Sequence, residues 1–277
     1  MEKNIILQVK NLSYTYGNEK EALKNINLDI YQGEKIAVLG SNGAGQSTFF
    51  LNINGVLNSS KGSIIYKGKV ITKKDLNELR KNVGIVFQDA DNQIIASTVL
   101  GEVSFGPMNL KLSKEEVKNR VYEAMEYMNI TDFKGRPPHY LSGGEKKRVS
   151  IADIIAMKPE IIIFDEPTAS LDPLNISILE EVLDKLSKEE KTIMISTHDM
   201  DFAYRWADRI IVFHNGQVVE DGECLDVLKN IRNKEDSSLR IPMLLDIIEE
   251  LKVKNIIKDK KFYPRTIEEL KRSISNL

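Results

Sequence analysis

The chain has 277 residues, of which 42% are hydrophobic and 29% are charged, a composition typical of a protein that folds around an apolar core. Its net charge of −2 and its pI near 6.1 argue against a general nucleic-acid binder, which would carry a basic surface. A single cysteine excludes an intramolecular disulfide, and no apolar run approaches the roughly 20 residues that cross a bilayer. We therefore expect any membrane-spanning segments to belong to partner subunits.

The N-terminal part of the chain is predicted to form β-strands. Ile5–Val9 and Leu12–Tyr16 are rich in β-forming residues, and Ala22–Ile30 alternates apolar and polar residues. Such alternation predicts an antiparallel sheet with one solvated face, which a hairpin over residues 63–71 would extend. Tyr16, at the end of a strand, either stacks on an adenine ring or packs on the sheet.

A glycine-rich segment follows the apolar strand Lys35–Leu39 and precedes a helical stretch that begins near Phe49. It reads Gly40-Ser41-Asn42-Gly43-Ala44-Gly45-Gln46-Ser47-Thr48. In a strand–loop–helix of this kind, backbone N–H groups and the positive helix end face phosphate oxygens, and the Ser47 hydroxyl would reach Mg²⁺. Glycines also serve ordinary tight turns, so the loop alone leaves both interpretations open. Gln46 stands where the pattern G-x-x-x-x-G-K-S/T has lysine.

Polar residues follow three further apolar strands. They are Gln88 after 83–87, Asp165 and Glu166 after 161–164, and His198 after 192–196. Ligands of α/β proteins bind at the carboxyl ends of parallel strands, where Asp165 suits Mg²⁺ and Glu166 suits an attacking water. Two solvated loop acids are the alternative. His198 either contacts a γ-phosphate or has a structural role.

Between about residues 96 and 156 the pattern becomes helical, which predicts a helical insertion between core strands. We expect Pro107 to break this pattern once. Ser142 is placed to cap a helix from 146 to 157, and Gly143 and Gly144 leave backbone N–H groups open at its positive end. This segment is either an ordinary cap or a second anion-binding helix terminus.

The composition changes again from residue 231. A polar linker over 232–238 is followed by predicted helices over 243–251 and 266–274. Because this tail is too short to fold securely alone, we expect it to dock on the main domain or to pair with another copy.

Five features, taken in order and spacing, resemble an ATP-binding-cassette ATPase over about residues 4–225. They are the loop from Gly40, Gln88, the run Leu141-Ser142-Gly143-Gly144-Glu145, Asp165-Glu166-Pro167 and His198. The resemblance implies an α/β P-loop NTPase fold, with a RecA-like core, an antiparallel β subdomain, a helical signature-motif subdomain and a small C-terminal helical extension. It implies a nucleotide-binding domain at 1–230, with its helical subdomain at about 92–156, and a helical dimerisation extension at 231–277.

The resemblance also implies the roles of individual residues at an ATP site. Tyr16 would stack on the adenine, and the loop from Gly40 to Thr48 would surround the phosphates. Ser47, Gln88 and Asp165 would contribute to the Mg²⁺ site.

Three further roles follow from the same resemblance. Glu166 would polarise the attacking water, His198 would sense the γ-phosphate, and Gln88 would be the third catalytic residue. Ser142, Gly143 and Gly144 would bind ATP held mainly by the opposite subunit, so function would require a dimer. Asp172 would communicate between the two sites.

Within this family, the segments 87–93 and 105–110 and the tail look like the cobalt-type energy-coupling-factor ATPases, which drive uptake of cobalt, nickel or vitamins into prokaryotic cells. This implies a second ATPase subunit, identical or related, a transmembrane coupling subunit and a substrate-binding membrane subunit. The chain would be peripheral, on the cytoplasmic side of the cell membrane, and would bind no nucleic acid. Since such an ATPase does not contact the solute, its sequence does not identify the substrate.

The main departure from the family is Gln46. Glutamine keeps a neutral hydrogen-bond donor but lacks the lysine cation that faces the β- and γ-phosphates, so we predict weakened ATP binding and sharply reduced hydrolysis. Either Gln46 is a lesion in an otherwise competent ATPase, or the chain is the degenerate half of a heterodimer. A nucleotide-gated scaffold without hydrolysis is a further alternative. Ala90, Asp153 and Ser170 also depart from the residues expected in close relatives.

Overall fold

The computed structural model describes residues 4–17, 20–169, 171–232, 239–259 and 261–274. The first half of the fold, in chain order, consists of β1 (Ile5–Tyr16), β2 (Lys20–Tyr31), β3 (Lys35–Gly40), α1 (Gln46–Ile53), β4 (Lys61–Tyr66), β5 (Lys69–Val70), α2 (Leu76–Asn82), β6 (Val83–Val86), α3 (Val99–Asn109), α4 (Lys114–Tyr127) and α5 (Gly143–Ala156). The second half consists of β7 (Ile161–Phe164), α6 (Pro173–Lys188), β8 (Thr192–Ser196), α7 (Met200–Trp206), β9 (Arg209–His214), β10 (Gln217–Glu223), α8 (Cys224–Arg232), α9 (Met243–Val253) and α10 (Ile267–Ile274).

The predicted antiparallel sheet is present, with the strand order β2-β1-β4-β5. The two strands predicted before residue 17 are in fact one strand, β1, whose pairing with β2 shifts between Val9 and Leu12. Asn11 has a φ of 50°, and this left-handed conformation takes up the extra residue without ending the strand. The backbone of β1 passes so close to Gly62 that a Cβ there would lie 2.4 Å from the Asn11 carbonyl.

The second sheet has the order β10-β9-β3-β8-β7-β6, in which β6, β7, β8, β3 and β9 are mutually parallel and β10 is an antiparallel edge strand. Its central strands are mainly apolar, apart from Lys35 in β3 and Thr192 and Ser196 at the two ends of β8, because helices or the other sheet cover both faces. The parallel arrangement brings the carboxyl ends of β3, β6, β7 and β8 to one edge, and the predicted polar residues follow these ends.

The helices α3, α4 and α5 form the predicted helical insertion. The expected break at Pro107 is wrong, since α3 continues to Asn109. Proline in the last turn of a helix removes only one backbone hydrogen bond, and the helix ends within two residues. The helix α5 begins at Gly143, earlier than predicted. Ser142 caps it as expected: its Oγ accepts from the Glu145 N–H, and the Glu145 carboxylate accepts from the Ser142 N–H at 2.7 Å.

The C-terminal helices dock on the main body of the molecule. Leu245 is fully buried in the same core as the α7 and α8 side chains, and the Tyr204 hydroxyl donates a hydrogen bond to the Pro264 carbonyl at 3.0 Å. Arg232, the last residue of α8, forms ion pairs with Asp246 and with two glutamates of α9. The predicted linker residues after Arg232, from 233 to 238, lie outside the described residues. No helix in the described ranges is long and apolar enough to span a membrane.

Candidate functional site

The glycine-rich loop takes a conformation that side chains at two of its positions would obstruct. A Cβ at Gly40, the last residue of β3, would lie 2.6 Å from the Phe213 carbonyl oxygen. Gly45 has a φ of 115°, and a Cβ there would lie 2.9 Å from the Ala22 carbonyl oxygen. A residue other than glycine would therefore overlap the backbone at Gly40, and at Gly45 it would meet both left-handed strain and overlap. The helix α1 begins directly after Gly45, so its free N–H groups lie next to the loop.

The loop forms one wall of an open cavity of about 380 Å³. The cavity is lined by Tyr16, Glu21, Ala22, Lys24, Gly43, Gly45, Gln46, Ser47, Thr48, Asn215 and Gly216. Tyr16 lies at its rim, with its hydroxyl 3.2 Å from the Thr48 Oγ1 and its ring edge-to-face with Tyr14. The structure therefore places Tyr16 beside the loop. The other lining residues come from β2 and from the β9–β10 turn, and nothing in the local sequence signals their place there.

The Gln46 side chain is turned under the loop and is only 7% exposed. Its Nε2 lies 3.5 Å from both the Val38 and the Gly40 carbonyl oxygens. These are long, weak hydrogen bonds, and the carboxamide brings no charge to the cavity. The position that carries a cation in the lysine-containing pattern is therefore neutral here.

Asp165 and Glu166 are joined at the edge of the parallel sheet by Ser196, the last residue of β8. The Ser196 Oγ donates to Asp165 Oδ1 at 2.7 Å and accepts from the Glu166 N–H at 2.8 Å. The Asp165 N–H in turn bonds the Val86 carbonyl of β6. Ser196 was predicted only as a strand residue, because the contact joins residues thirty positions apart. The acidic pair is thus attached to the core rather than lying in a solvated loop.

Glu166 also contacts His198, as its Oε1 lies 2.5 Å from the His198 Nε2. Partial burial raises the pKa of Glu166 above its usual value, and the nearby Asp165 adds to this effect, while His198 opposes it. A carboxylate with a raised pKa is better suited to accept a proton from water than an ordinary surface acid. Glu166 has a φ of 46°, a left-handed conformation that is uncommon for this residue and frequent at functional sites.

The donor set at this edge suits Mg²⁺. Mg²⁺ prefers oxygen ligands and usually takes one or two protein groups together with water and substrate phosphates. Asp165 provides a buried carboxylate and Ser47 a hydroxyl on the loop. In the described part of the chain, no group of three His, Cys, Asp or Glu residues is placed to hold a metal ion. A Mg²⁺ ion here would therefore depend on phosphate oxygens and water for its remaining ligands.

Gln88 and the tip of α5 line a second cleft, of about 230 Å³, and not the cavity at the loop. Gly143 lies in this cleft, with open space around the position of a Cβ. Gly144 packs against Asn175, whose side chain donates to the carboxylate of Asp172 at 2.9 Å. Asp172 caps α6, and the hydrogen bonds from Asn175 lower its pKa. The neighbouring Ser170 lies outside the described residues.

The structure therefore groups the predicted residues into two sets. Tyr16 and the loop share one cavity, with the acidic pair and His198 at the sheet edge after β7 and β8. Gln88, Gly143, Gly144 and Asp172 belong to the other surface. One residue of this second set was missed: Lys147, which is 4% exposed and donates to the Gln88 carbonyl at 2.7 Å. Burial lowers the pKa of Lys147 to about 8.

Comparison with known proteins agrees with this geometry. The family profile described as ABC transporter matches residues 23–169, just over half of the chain. The chain belongs to the ABC transporter family. Its fold is that of the ABC ATPase cassette, so the predicted P-loop NTPase fold is confirmed.

Several ABC relatives are similar over nearly their whole length. The energy-coupling factor transporter ATP-binding protein EcfA of Methanocaldococcus jannaschii is 44% identical over 273 residues, covering 98% of this chain and 97% of that protein. EcfA of Carboxydothermus hydrogenoformans is 41% identical over 251 residues, covering 91% of this chain and 93% of that protein. These relatives confirm the resemblance to the energy-coupling-factor ATPases.

Two solved ABC structures are similar in fold. The cbiO1 protein of Clostridium perfringens, described as part of the ABC transporter complex cbiONQ, has 42% identity and a TM-score of 0.74, covering 83% of this chain and 94% of that one. The dimeric cassette MJ0796 bound to ADP and Pi has 32% identity and a TM-score of 0.72, covering 79% of this chain and 99% of that one.

Proposed function

We propose that this chain is the ATP-binding and ATP-hydrolysing subunit of an energy-coupling-factor importer, which drives uptake of cobalt, a related metal ion or a vitamin through membrane partner subunits. Its relatives are named energy-coupling factor transporter ATP-binding proteins, and the similar cbiO1 is part of the complex cbiONQ, which supports this role. The chain would lie at the cytoplasmic side of the cell membrane, attached through its partners.

One observation supports the mechanism most directly: the tip of α5 does not line the cavity of its own chain. Ser142 and Gly143 are exposed, and Gly143 leaves room for a ligand beside the first turn of α5. A helix N-terminus with free N–H groups attracts phosphate. We propose that this tip binds the ATP held in a second subunit, so that two sites form only when two cassettes close on each other. The dimeric form of the similar MJ0796 agrees with this arrangement.

Within one site, the residues of this chain would act as follows. Tyr16 stacks on the adenine, and the loop N–H groups hold the phosphates. Ser47 and Asp165 would hold Mg²⁺, which when bound neutralises charge on the β- and γ-phosphate oxygens. Gln88, which lines the second cleft in this structure, would reach the ion only by moving toward the loop. Glu166 orients a water molecule and accepts its proton.

Two further residues would keep the acidic pair in position. Ser196 bonds both the Asp165 carboxylate and the Glu166 backbone, and His198 contacts the Glu166 carboxylate and would restrict its orientation.

A hydrolysis-impaired half of a heterodimer is the second candidate function. It rests on Gln46, whose neutral carboxamide bonds only weakly to two strand carbonyls. Loss of one transition-state donor typically costs about 2.7–4 kcal/mol, or about 10²–10³ in rate. Under this alternative the chain still binds ATP, and its intact α5 tip completes the active site of a partner ATPase.

Two exposed apolar surfaces fit the proposed partners. Ile95, Phe105 and Met108, which follow the Gln88 segment, are more than half exposed and would contact the membrane subunit. On the C-terminal extension, Met243 and Val253 are 69% and 71% exposed, and would contribute to the contact with the second cassette.

The experiment that tests the proposal is purification of the tagged chain from membranes of its native host, followed by identification and counting of its partners. We expect one transmembrane coupling subunit, one substrate-binding membrane subunit and two cassette chains for each complex. Recovery of the chain without any membrane-spanning protein, under conditions that preserve such complexes, would contradict the importer role. Two different cassette chains in the complex would favour the heterodimer.

A further inference from the structure

The cavity at the glycine-rich loop contains a single cationic side chain. Among the described residues that line it, Lys24 of β2 carries the one positive charge and Glu21 the one negative charge. Gln46, at the position of the usual lysine, is neutral. The triphosphate of ATP carries several negative charges, and without Lys24 it would meet a lining whose one formal charge is the Glu21 carboxylate. Lys24 is therefore the residue of this cavity that favours an anionic ligand.

Two backbone hydrogen bonds fix Lys24 beside the loop. The Lys24 N–H donates to the Gly216 carbonyl at 2.8 Å, and the Gly216 N–H donates to the Ala44 carbonyl, also at 2.8 Å. The strand β2, the β9–β10 turn and the loop are thus connected side by side at this point. A displacement of Lys24 away from the loop would break this series of bonds.

The alternation of side chains in β2 directs Lys24 into the cavity. Leu23 is fully buried in the core, so its two neighbours, Ala22 and Lys24, lie on the opposite face of the strand. Both of these neighbours line the cavity. The Lys24 side chain is partly buried there and does not extend freely into solvent.

The Lys24 ammonium group has no carboxylate partner. It forms no salt bridge with any residue in the described ranges, and the exposed Glu21 on the same strand does not pair with it. Lys69 of the same sheet, by comparison, pairs with Asp75 at 2.5 Å. A partly buried cation without a counter-ion gains more from a bound phosphate than one that is already paired.

We infer that Lys24 is a phosphate-binding residue, whose ammonium group contacts the triphosphate of ATP from β2 and replaces part of the charge that Gln46 does not provide. The inference rests on the proposed function, since it takes the cavity to be the ATP site. Lys24 reaches the cavity from β2, whereas a lysine at position 46 would extend from the first turn of α1. Lys24 therefore raises the affinity for ATP but does not restore the transition-state contact of a lysine at position 46.

Calorimetric titration of the full-length chain with Mg·ATP and with adenosine tests this inference. The main variant is Lys24→Met, which keeps the length of the side chain and removes its charge, and Lys24→Gln is a second neutral variant in case methionine impairs folding. Lys24→Arg keeps the charge. Lys10→Met is the matched control, since Lys10 is an exposed lysine of the neighbouring strand β1 that lines a different groove.

We expect Lys24→Met to weaken Mg·ATP binding about tenfold, the lower end of what a hydrogen bond to a charged group contributes, because Lys24 is partly exposed. Adenosine, which has no phosphate, should bind with unchanged affinity. Lys24→Arg and Lys10→Met should bind ATP nearly as tightly as the unsubstituted chain. In a Gln46→Lys background the loss caused by Lys24→Met should be smaller, because the loop then has a cation of its own.

Equal ATP affinities for the Lys24→Met and Lys10→Met proteins would overturn the inference. An equal loss of ATP and adenosine affinity in Lys24→Met would also overturn it, because it would indicate a packing role. If the unsubstituted chain binds no Mg·ATP but Gln46→Lys does, Lys24 does not replace the missing charge, and the inference alone fails. If neither protein binds Mg·ATP, the cavity is not an ATP site, and the proposed function fails with it.

Discussion

The phosphate loop and the tip of α5 are both glycine-containing helix starts, yet their surroundings differ. The loop is enclosed: Cβ atoms at Gly40 and Gly45 would collide with backbone of β9 and β2. The tip is open at Gly143, where a Cβ would have no neighbour within 4 Å in this chain, whereas Gly144 packs against Asn175. The cavity at the loop is built by the fold of a single chain, whereas under the proposed function the tip would complete a site only with a second cassette. Under the proposed function, one chain would thus carry two phosphate-binding elements but only one enclosed phosphate site.

The largest effect is expected for Gln46→Lys, which tests whether the missing lysine cation is the only defect of the site at the loop. Gln46→Lys should raise phosphate release by the assembled complex about 10²–10³-fold, because lysine places a charge where negative charge develops on the phosphates. The control is the double variant with Glu166→Gln, which should lose the gain if the new turnover arises at this site. An unchanged rate in Gln46→Lys would show that Gln46 is not the limiting defect.

A matched pair of glycine substitutions sharpens the contrast between the two sites. Gly45→Ala should lower stability by about 2–4 kcal/mol and abolish ATP binding, because alanine meets left-handed strain and overlap there. Gly143→Ala should leave the unfolding temperature and ATP affinity of the monomer unchanged while weakening ATP-dependent dimerisation. Thermal unfolding, calorimetric ATP titration and sedimentation measure the three quantities. Equal loss of ATP affinity in both variants would contradict the division into one enclosed and one open site.

Tyr16 tests the rim of the enclosed cavity. Tyr16→Ala should weaken ATP binding by about 1–3 kcal/mol, since base–aromatic stacking contributes roughly that amount. Tyr16→Phe keeps the ring and loses only the hydroxyl contact with Thr48, so its affinity should stay close to that of the unsubstituted chain. If the Tyr16→Ala and Tyr16→Phe variants bind ATP equally well, Tyr16 packs on the sheet and does not stack on the base.

The smallest effect concerns Asp153, a buried carboxyl beneath the Gln88 segment. Burial raises its pKa to about 7, nearby Glu102 adds to this, and hydrogen bonds from Gln93 and Gly106 oppose it. Between about pH 4 and pH 7 the folded chain therefore binds more protons at this site than the unfolded chain does, so its contribution to stability falls as the pH rises. Because asparagine does not titrate, Asp153→Asn removes this decrease of stability with rising pH.

We expect Asp153→Asn to stabilise the protein on the order of 2 kcal/mol at pH 8, with the gain shrinking toward pH 4. Denaturant unfolding at several pH values measures it. Glu102→Gln serves as the comparison: Glu102 is also buried, but its carboxylate accepts two backbone N–H groups, so its replacement should destabilise the chain. A pH-independent difference between Asp153→Asn and the unsubstituted chain would contradict the raised pKa.

Sequence patterns predicted most elements because their signals are local. The apolar runs of β3, β7 and β8, the Ser142 cap and the alternation in β2 each depend on residues close in the chain. One error arose where distant residues intervene, since pairing with β2 carries β1 through its bulge. The other is local, because Pro107 lies in the last turn of α3, where it does not end the helix at once.

The residues of the candidate site also fall into those that the sequence predicted and those that only the structure revealed. The motif residues were found from type and spacing, but Ser196 and Lys147 were not, since each acts on residues about 30 or 60 positions away. Their sequence context, a strand end and a charged helix turn, is ordinary. Only the folded chain shows that Ser196 joins the acidic pair and that Lys147 holds the Gln88 backbone.

The amino-acid sequence by itself determined the order of most elements and the chemistry that each motif can supply, because these depend on short-range periodicity and residue type. It also carried the resemblance to the family, through five motifs in order and spacing. The tertiary structure alone decided which motifs share a cavity, which helix carries the Gln88 segment and where the tail docks. These outcomes depend on burial and on hydrogen bonds between residues far apart in the chain, and no local pattern encodes such contacts.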